Sequence, residues 1–163
     1  MPIKALSLWN PWAWLILVLE KRLETRKWST DYRGPLVICS TQTAPMGFYP
    51  NHLELFGDTY ERHGILNPKK QLPMGAALCV VQLVDCVLAS RVRDSLSPVE
   101  RAFGDYSGAR FAWIMEDVVP FPAPIPWLGF QKLWNWTGPL PGDMTIPIPA
   151  EPESQAALAF EVI

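Results

Sequence analysis

The sequence has no long run of apolar residues. The longest unbroken one, residues 12–19, is far shorter than the ~20 residues that a membrane-spanning helix needs. The first residues, Met1 to Lys4, also lack the charged and apolar layout of a signal peptide. We therefore expect a protein that neither crosses a membrane nor is exported.

Cysteine is scarce and odd in number. Cys39, Cys79 and Cys86 are the three cysteines of the chain, and two of them lie inside apolar runs. This pattern excludes a disulfide framework and indicates buried thiols in a reducing compartment. The expected location is the cytoplasm.

Positive charge is not in excess, since the formal net charge is -2 at pH 7. A chain that coats nucleic acid without specificity needs many Lys and Arg to release counterions, so that class is excluded. The charge is uneven, however: residues 1–50 hold six bases and three acids, whereas residues 139–163 hold four acids and no base. A local anionic ligand fits the first segment, and a solvated acidic extension fits the second.

The common enzyme signatures are absent. The sequence contains no glycine-rich phosphate loop, no nucleophile elbow, no CxxC and no HExxH. Its histidines, His52 and His63, stand eleven positions apart, which fits two surface residues better than a ligand pair. We predict no zinc site and no other resident metal.

The chain has the length and the apolar content, 163 residues and 49%, of one self-sufficient α+β domain. Alternating and β-branched runs predict strands, and caps and apolar spacing predict helices. Several short strands with interposed short helices favour a partly open β-barrel over a doubly wound sheet. Strands are expected at 5–9, 23–28, 36–39, 75–89, 110–119 and an extended edge at 121–125, and helices at 12–21, 51–63, 97–103, 129–134 and 154–163.

A charged cluster follows the first predicted helix. In the strand at 23–28, alternation places Glu24, Arg26 and Trp28 on one face, just after Lys21. One interpretation is a solvated helix end, in which Lys21 complements the helix C-terminus. The other is a polar cleft whose partly desolvated charges need a ligand, with Lys21 as its cation or as a base of lowered pKa.

Six spaced motifs in this sequence resemble the ASCH family, a relative of the PUA domains. They are SLxxPWA at 7–13, KxxExRxW at 21–28, RGPLVI at 33–38, GAA to DC at 75–86, FAW at 111–113 and PIPxxGFQxLW at 124–134. Together they span residues 3–136. One position departs from the family, which usually has glycine two residues before the lysine, where this chain has Leu19.

The resemblance implies a PUA-like, partly open β-barrel with short helices at its rim. It implies an ASCH domain over residues 1–138, with residues 139–163 as an acidic extension packed on it or trailing from it. The cleft beside the KxxExR segment would bind RNA or a modified nucleoside, with no cofactor. Ligand-binding residues would be Trp9, Lys21, Arg26, Trp28 and Arg33, the tryptophans serving as stacking platforms.

The resemblance leaves it undecided whether the protein is an enzyme. Small bacterial relatives hydrolyse N4-acetylcytidine with a Lys, a Thr and a Glu; Lys21 occupies the Lys position, but Glu24 stands in place of the Thr. Glu100 is a tentative candidate for the distant acid, although Ser97 to Glu100 also fits a capping box.

Two further alternatives remain. Other relatives are metal-assisted ribonucleases, and four acids could hold the divalent ion: Glu24, Asp85, Glu100 and Asp105. The proline-rich edge at 120–126 could also serve a protein-interaction scaffold.

Overall fold

The computed structural model describes residues 2–43, 52–142 and 144. Its strands are β1 (Lys4–Leu8), β2 (Leu23–Arg26), β3 (Gly34–Ser40), β4 (Ala76–Leu88), β5 (Phe111–Pro126) and β6 (Leu133–Asn135). Its helices are α1 (Trp12–Leu17), α2 (His52–Arg62), α3 (Pro68–Gln71), α4 (Ala89–Val92) and α5 (Pro98–Ala102), with a 3-10 turn at Arg93–Ser95. None of these helices is long and apolar enough to cross a membrane.

The strands form one curled sheet, a half-barrel, in the order β2-β5-β4-β3-β1-β6. Strands β1 and β3 run parallel, and the other neighbours are antiparallel. The edge strand β2 pairs with the start of β5, so that Glu24 lies opposite Trp113 and Arg26 opposite Phe111. The predicted α+β class and the partly open barrel are confirmed.

The sheet is apolar on both faces. On one face, Leu6, Ile38, Val81 and Trp113 pack with Ile16 of α1 in the main core. The other face carries a smaller cluster, which includes Ala5, Val37, Cys39, Val80 and Phe121. Cys39 and Cys79 are fully buried free thiols, as the sequence predicts, and burial raises the pKa of each to about 12.

One predicted element differs from the structure. Residues 129–134 are predicted to be helical, but their end forms β6, because residues 133–135 complete the open edge of β1. The extended edge predicted at 121–125 is the last part of β5, which runs to Pro126 and pairs with β4, while β2 pairs only with residues 111–114. The short helix α3 lies where no helix is predicted. The helix predicted at 154–163 lies outside the described residues.

Helix α1 ends at Leu17, four residues before the predicted end, in a Schellman motif. Leu19 takes φ 65°, its N–H donates to the Ile16 carbonyl at 3.1 Å, and the Glu20 N–H donates to the Leu15 carbonyl at 2.9 Å. This pattern closes a helix through one left-handed residue, most often glycine. Leu19 therefore adopts the left-handed conformation that glycine takes most readily.

We expect Leu19→Gly to raise the free energy of unfolding by about 1 kcal/mol, because a left-handed non-glycine residue is strained by roughly that amount. The Leu19 side chain is 68% exposed, so little burial is lost. Urea unfolding measures the change. Leu66, 91% exposed and outside the left-handed region, is the control: Leu66→Gly should give no gain, and a gain in both variants would contradict the assignment.

Candidate functional site

The Lys21 side chain points into the protein from the turn after α1. It is 1% exposed, and its ammonium donates to the Phe103 carbonyl at 3.2 Å. The same Nζ lies 3.8 Å from Glu24 Oε2 and 3.9 Å from Glu100 Oε1. A cation thus sits between two carboxylates under the start of β2, which excludes the interpretation of Lys21 as a solvated helix-end charge.

Burial is the largest influence on the pKa of Lys21 and lowers it. The nearby charges of Glu24 and Glu100 raise this pKa, and that of Arg26 lowers it. The net shift is downward. The carboxylates therefore offset only part of the desolvation of the ammonium.

The Glu100 carboxylate fastens α5 to the start of β2. Its two oxygens accept from the backbone N–H groups of Arg22 at 2.9 Å and Leu23 at 3.1 Å. The Ser97 hydroxyl accepts from the Glu100 N–H at 3.1 Å, so the predicted N-cap is confirmed. The capping-box interpretation of the Glu100 side chain is wrong, since both of its oxygens are engaged by the β2 segment instead.

Tyr106 is a neighbour that the sequence analysis missed. Burial, together with the negative charges of Glu100 and Glu24, raises the pKa of its hydroxyl. The residue is 4% exposed, so a neutral phenol stands beside the buried charges. No local motif marks it.

Strand β2 presents Glu24 and Arg26 on one face, as the alternation predicts, while Thr25 is buried behind them. Arg26 Nε lies 3.4 Å from Glu24 Oε1, and Arg26 Nη2 donates to the Ser7 carbonyl at 3.4 Å. Glu24 is thus shared by two cations, Lys21 below it and Arg26 beside it.

Two clefts adjoin this face. The first has a volume of about 410 Å³ and lies between β1, β2 and residues 130–132; the second, of about 400 Å³, lies between β2 and residues 102–105. Both are lined by Trp9, Trp12, Glu24 and Arg26, and neither is lined by Lys21. Within the charged cluster, Glu24 and Arg26 therefore face both clefts, and Lys21 faces neither.

The first cleft has aromatic walls. Trp9 and Trp28, the two predicted stacking platforms, both line it, together with Trp12 and Phe130. Trp9 is 49% exposed. Trp28 is half-buried and packs edge-to-face on Trp113, with ring centroids 4.6 Å apart. Trp9 therefore offers the more open surface.

Arg33 lies apart from the other predicted ligand-binding residues. It follows β2 in the loop before β3, and its Nη2 lies 2.9 Å from Asp85 Oδ1 on β4. It lines neither of the two clefts. A hydrogen bond from the Cys86 N–H and then one from Arg33 lower the pKa of Asp85.

The four acids considered for a metal ion are dispersed. Glu24 and Glu100 flank Lys21, Asp85 pairs with Arg33, and Asp105 lies 3.3 Å from Arg110 Nη1. Among the described residues, no three His, Cys, Asp or Glu side chains are grouped so that they could hold a metal ion. The geometry gives no support to a divalent site.

Comparisons with known proteins agree with the sequence motifs. The model of the ASCH domain matches residues 6–124. The chain is 28% identical over 132 residues to activating signal cointegrator 1 of Homo sapiens and of Mus musculus, which covers 80% of this chain but 22% of each relative. The chain thus spans about a fifth of the curated relatives it matches.

Solved structures share the fold. The crystal structure of ASCH from Zymomonas mobilis superposes with a TM-score of 0.51 at 14% identity, covering 83% of this chain and 87% of that one. A point mutant of the same protein gives the same TM-score and identity, with 91% of its chain covered. At this identity the likeness concerns the fold, which is PUA-like.

Proposed function

Because the chain belongs to the ASCH family, we propose that its first cleft binds a nucleobase, presented by RNA or by a modified nucleoside. The observation that carries this proposal is that aromatic and polar side chains line the same cleft. Trp9, Trp12 and Trp28 line the cleft together with Arg26 and Glu24. An aromatic platform with a few polar groups is how proteins bind unpaired bases.

The size and charge of the cleft support a single base. Its volume of about 410 Å³ lies at the lower end of pockets for small molecules. Arg26 donates hydrogen bonds and Glu24 accepts them, so both kinds of base edge have a partner. The net charge of the chain, -2, fits recognition by such contacts better than a general attraction to polyanions.

We expect Trp9→Ala and Arg26→Gln each to weaken binding of a short single-stranded RNA by about tenfold. Stacking of one base on an aromatic ring is worth ~1–3 kcal/mol, and hydrogen bonds to a charged group are of similar strength. Fluorescence titration of the folded variants, checked by thermal unfolding, measures the loss.

Arg33→Gln is the control, because Arg33 lies outside both clefts. It should leave the affinity within twofold of that of the unmodified protein. Equal losses in Arg26→Gln and Arg33→Gln, with none in Trp9→Ala, would point to general electrostatic binding. Unchanged binding in Trp9→Ala and Arg26→Gln would refute the cleft.

A second candidate function is hydrolysis of N4-acetylcytidine or a related acylated nucleoside. It is favoured by the lowered pKa of Lys21 and by Glu24, which joins this lysine to the cleft at 3.8 Å. In this arrangement Glu24 is the group that a bound substrate contacts, since Lys21 is 1% exposed. Incubation with N4-acetylcytidine, followed by measurement of acetate and cytidine, tests it: release by the protein but not by Glu24→Gln supports it.

The same protein incubated with end-labelled RNA, with and without Mg²⁺ or Mn²⁺, tests the ribonuclease alternative. If both the RNA and the N4-acetylcytidine stay intact in the presence of folded protein, the two enzymatic alternatives are wrong and binding is the function that remains.

A further inference from the structure

The second cleft leads away from the first toward an arginine that the proposed function does not use. The two clefts share the walls formed by Trp9 and Arg26. The second then extends along the edge of the sheet to Arg110 and Asp105. A ligand bound in the first cleft therefore lies next to the cleft that Arg110 lines.

Arg110 stands directly before β5, where Phe111 pairs with Arg26. This register brings the two arginines to the same end of the β2–β5 pair. Arg110 Nη1 lies 3.3 Å from Asp105 Oδ2, and Nη2 donates to the Thr25 carbonyl at 3.3 Å. These contacts hold the guanidinium at the wall of the second cleft.

Both arginines retain an unused donor. Arg110 Nε and Arg26 Nε are buried, and neither makes a hydrogen bond within the described part of the chain. Arg26 Nε is 3.4 Å from Glu24 Oε1, close enough for an ion pair but without the geometry of a hydrogen bond. The side chains of Arg26 and Arg110 are nevertheless 28% and 22% exposed. The exposed edge of each planar guanidinium therefore faces solvent and matches the oxygens of a phosphate.

The charges around the cleft select the kind of anion. Of the residues that line the second cleft, two are cations, Arg26 and Arg110, and two are acids, Glu24 and Asp105. Asp105 is also fixed by Ser107, whose hydroxyl and N–H donate to it at 2.5 and 3.0 Å. A balanced site of this kind suits a singly charged phosphodiester, held by directed bonds, better than a doubly charged terminal phosphate.

A third cleft of about 310 Å³ shares Ser7, Trp9 and Phe130 with the first, and Trp9 lines all three clefts. Trp9 thus lies where the three clefts adjoin, and we call them together the groove. A row of adjoining clefts suits a polymer better than a single closed pocket does.

We propose that the second cleft is a phosphodiester site, in which Arg110 and Arg26 bind the phosphate next to the base held in the first cleft. The ligand is accordingly a short single-stranded stretch of RNA and not a free nucleoside. This inference rests on the proposed function, because it takes the base in the first cleft as its anchor. It assigns to Arg110 a role in binding that the sequence motifs do not contain.

The test compares cytidine, cytidine 5′-monophosphate and the dinucleotide CpC as probes, with the full chain and with Arg110→Gln. The dinucleotide should bind about tenfold more tightly than cytidine, and Arg110→Gln should remove this gain without changing the affinity for cytidine. The salt dependence of CpC binding should be shallow, with a logarithmic slope near −0.7 for about one phosphate. A comparable gain with the monophosphate would show that a terminal phosphate suffices, which contradicts the diester assignment.

Arg33→Gln is a matched control, since Arg33 is also paired with an aspartate but lies outside the groove. It should retain the full gain for CpC. If Arg110→Gln unfolds, Asp105→Asn replaces it: freeing Arg110 from its carboxylate should increase the affinity for CpC and not that for cytidine.

The two proposals fail in different ways. Equal affinity for cytidine and CpC, with both lost in Trp9→Ala, would overturn the phosphodiester site and leave the base cleft standing. If none of the three probes binds, both proposals are overturned.

Discussion

Replacing Lys21 by methionine is expected to lower the free energy of unfolding by about 3 kcal/mol. Removing one partner from a buried ion pair typically costs 3–5 kcal/mol, because the remaining charge is left in a poorly solvating interior. Here two carboxylates remain, on Glu24 and Glu100, whose side chains are 12% and 10% exposed. Urea unfolding at pH 7 measures the change.

The lower end of that range is expected because the charged lysine is itself costly to bury. Desolvation is the largest cause of its lowered pKa. Methionine, of similar length, therefore removes the cost of burying the ammonium but leaves the two carboxylates without their cation. Between this lowered pKa and 10.5, the unfolded chain binds more protons than the folded one. The contribution of Lys21 to stability therefore rises with pH in that window. The stability difference between the protein and Lys21→Met should grow accordingly as the pH increases toward 10.5.

Two further variants make the result specific. Arg22→Met removes the adjacent exposed cation, and its effect should stay within ~0.5 kcal/mol. Adding Glu24→Gln and Glu100→Gln to Lys21→Met should recover much of the loss, since the two carboxylates that faced Lys21 are then neutral. Arg26 loses its partner Glu24, but it is 28% exposed and keeps access to water. A loss of similar size in Arg22→Met, or no recovery in the triple variant, would contradict the buried ion cluster.

Strands β1 to β5 were predictable because the sheet is covered on both faces by side chains that alternate, whereas β6 forms where the sequence predicts a helix. In β3, Leu36 and Ile38 enter one cluster while Val37 and Cys39 enter the other. The same alternation in β2 places Glu24 and Arg26 together and buries Thr25. In both strands, the alternation along the sequence correctly predicts which face of the sheet each side chain occupies.

The end of α1 was not predictable in the same way. Residues 12–19 are all apolar, so their spacing marks no boundary, and the residue that closes the helix is Leu19 instead of the glycine that signals such a turn. The resemblance pointed to this position as a departure. Only its φ of 65° shows that Leu19 takes the left-handed conformation for which glycine is the usual residue.

The candidate site could be predicted only in part, because its other half comes from distant segments. Glu100 lies 78 positions from Arg22, and its carboxylate accepts a hydrogen bond from the Arg22 N–H. The sequence around Glu100 also fits a capping box, which explains the glutamate without any distant partner. Arg110 reaches the cleft because β5 pairs with β2. Arg33 shows the converse: it is near Arg26 in sequence, but the loop before β3 carries it to Asp85.

Replacing Glu100 by alanine should lower the free energy of unfolding by about 3 kcal/mol or more. The change leaves the N–H groups of Arg22 and Leu23 without their acceptor and removes one of the two carboxylates beside Lys21. A buried donor left unsatisfied costs ~1–3 kcal/mol. Glu100→Gln should cost roughly half as much, since its amide oxygen retains one acceptor; the exposed Glu116→Ala is the control, with an effect within ~0.5 kcal/mol.

Hydrogen exchange locates this loss. The Arg22 and Leu23 amides should exchange faster in Glu100→Ala, while amides in the centre of β4 should change only with global stability. Uniform acceleration along the chain would mean that Glu100 acts through packing alone.

The coupling between Lys21 and Glu100 separates an ion cluster from two independent buried groups. Each single replacement removes the charged partner of the other residue, although Glu24 still lies 3.8 Å from Lys21 in Glu100→Gln. The double variant Lys21→Met, Glu100→Gln removes both charges of the pair. Interacting neighbours deviate from additivity by ~0.5–3 kcal/mol, so the double variant should be at least ~1 kcal/mol more stable than the sum of the single losses predicts. Additive losses would mean that the 3.9 Å between Nζ and Oε1 carries no net interaction. In that case Glu24, which lies at 3.8 Å and faces both clefts, would be the effective partner of the buried lysine.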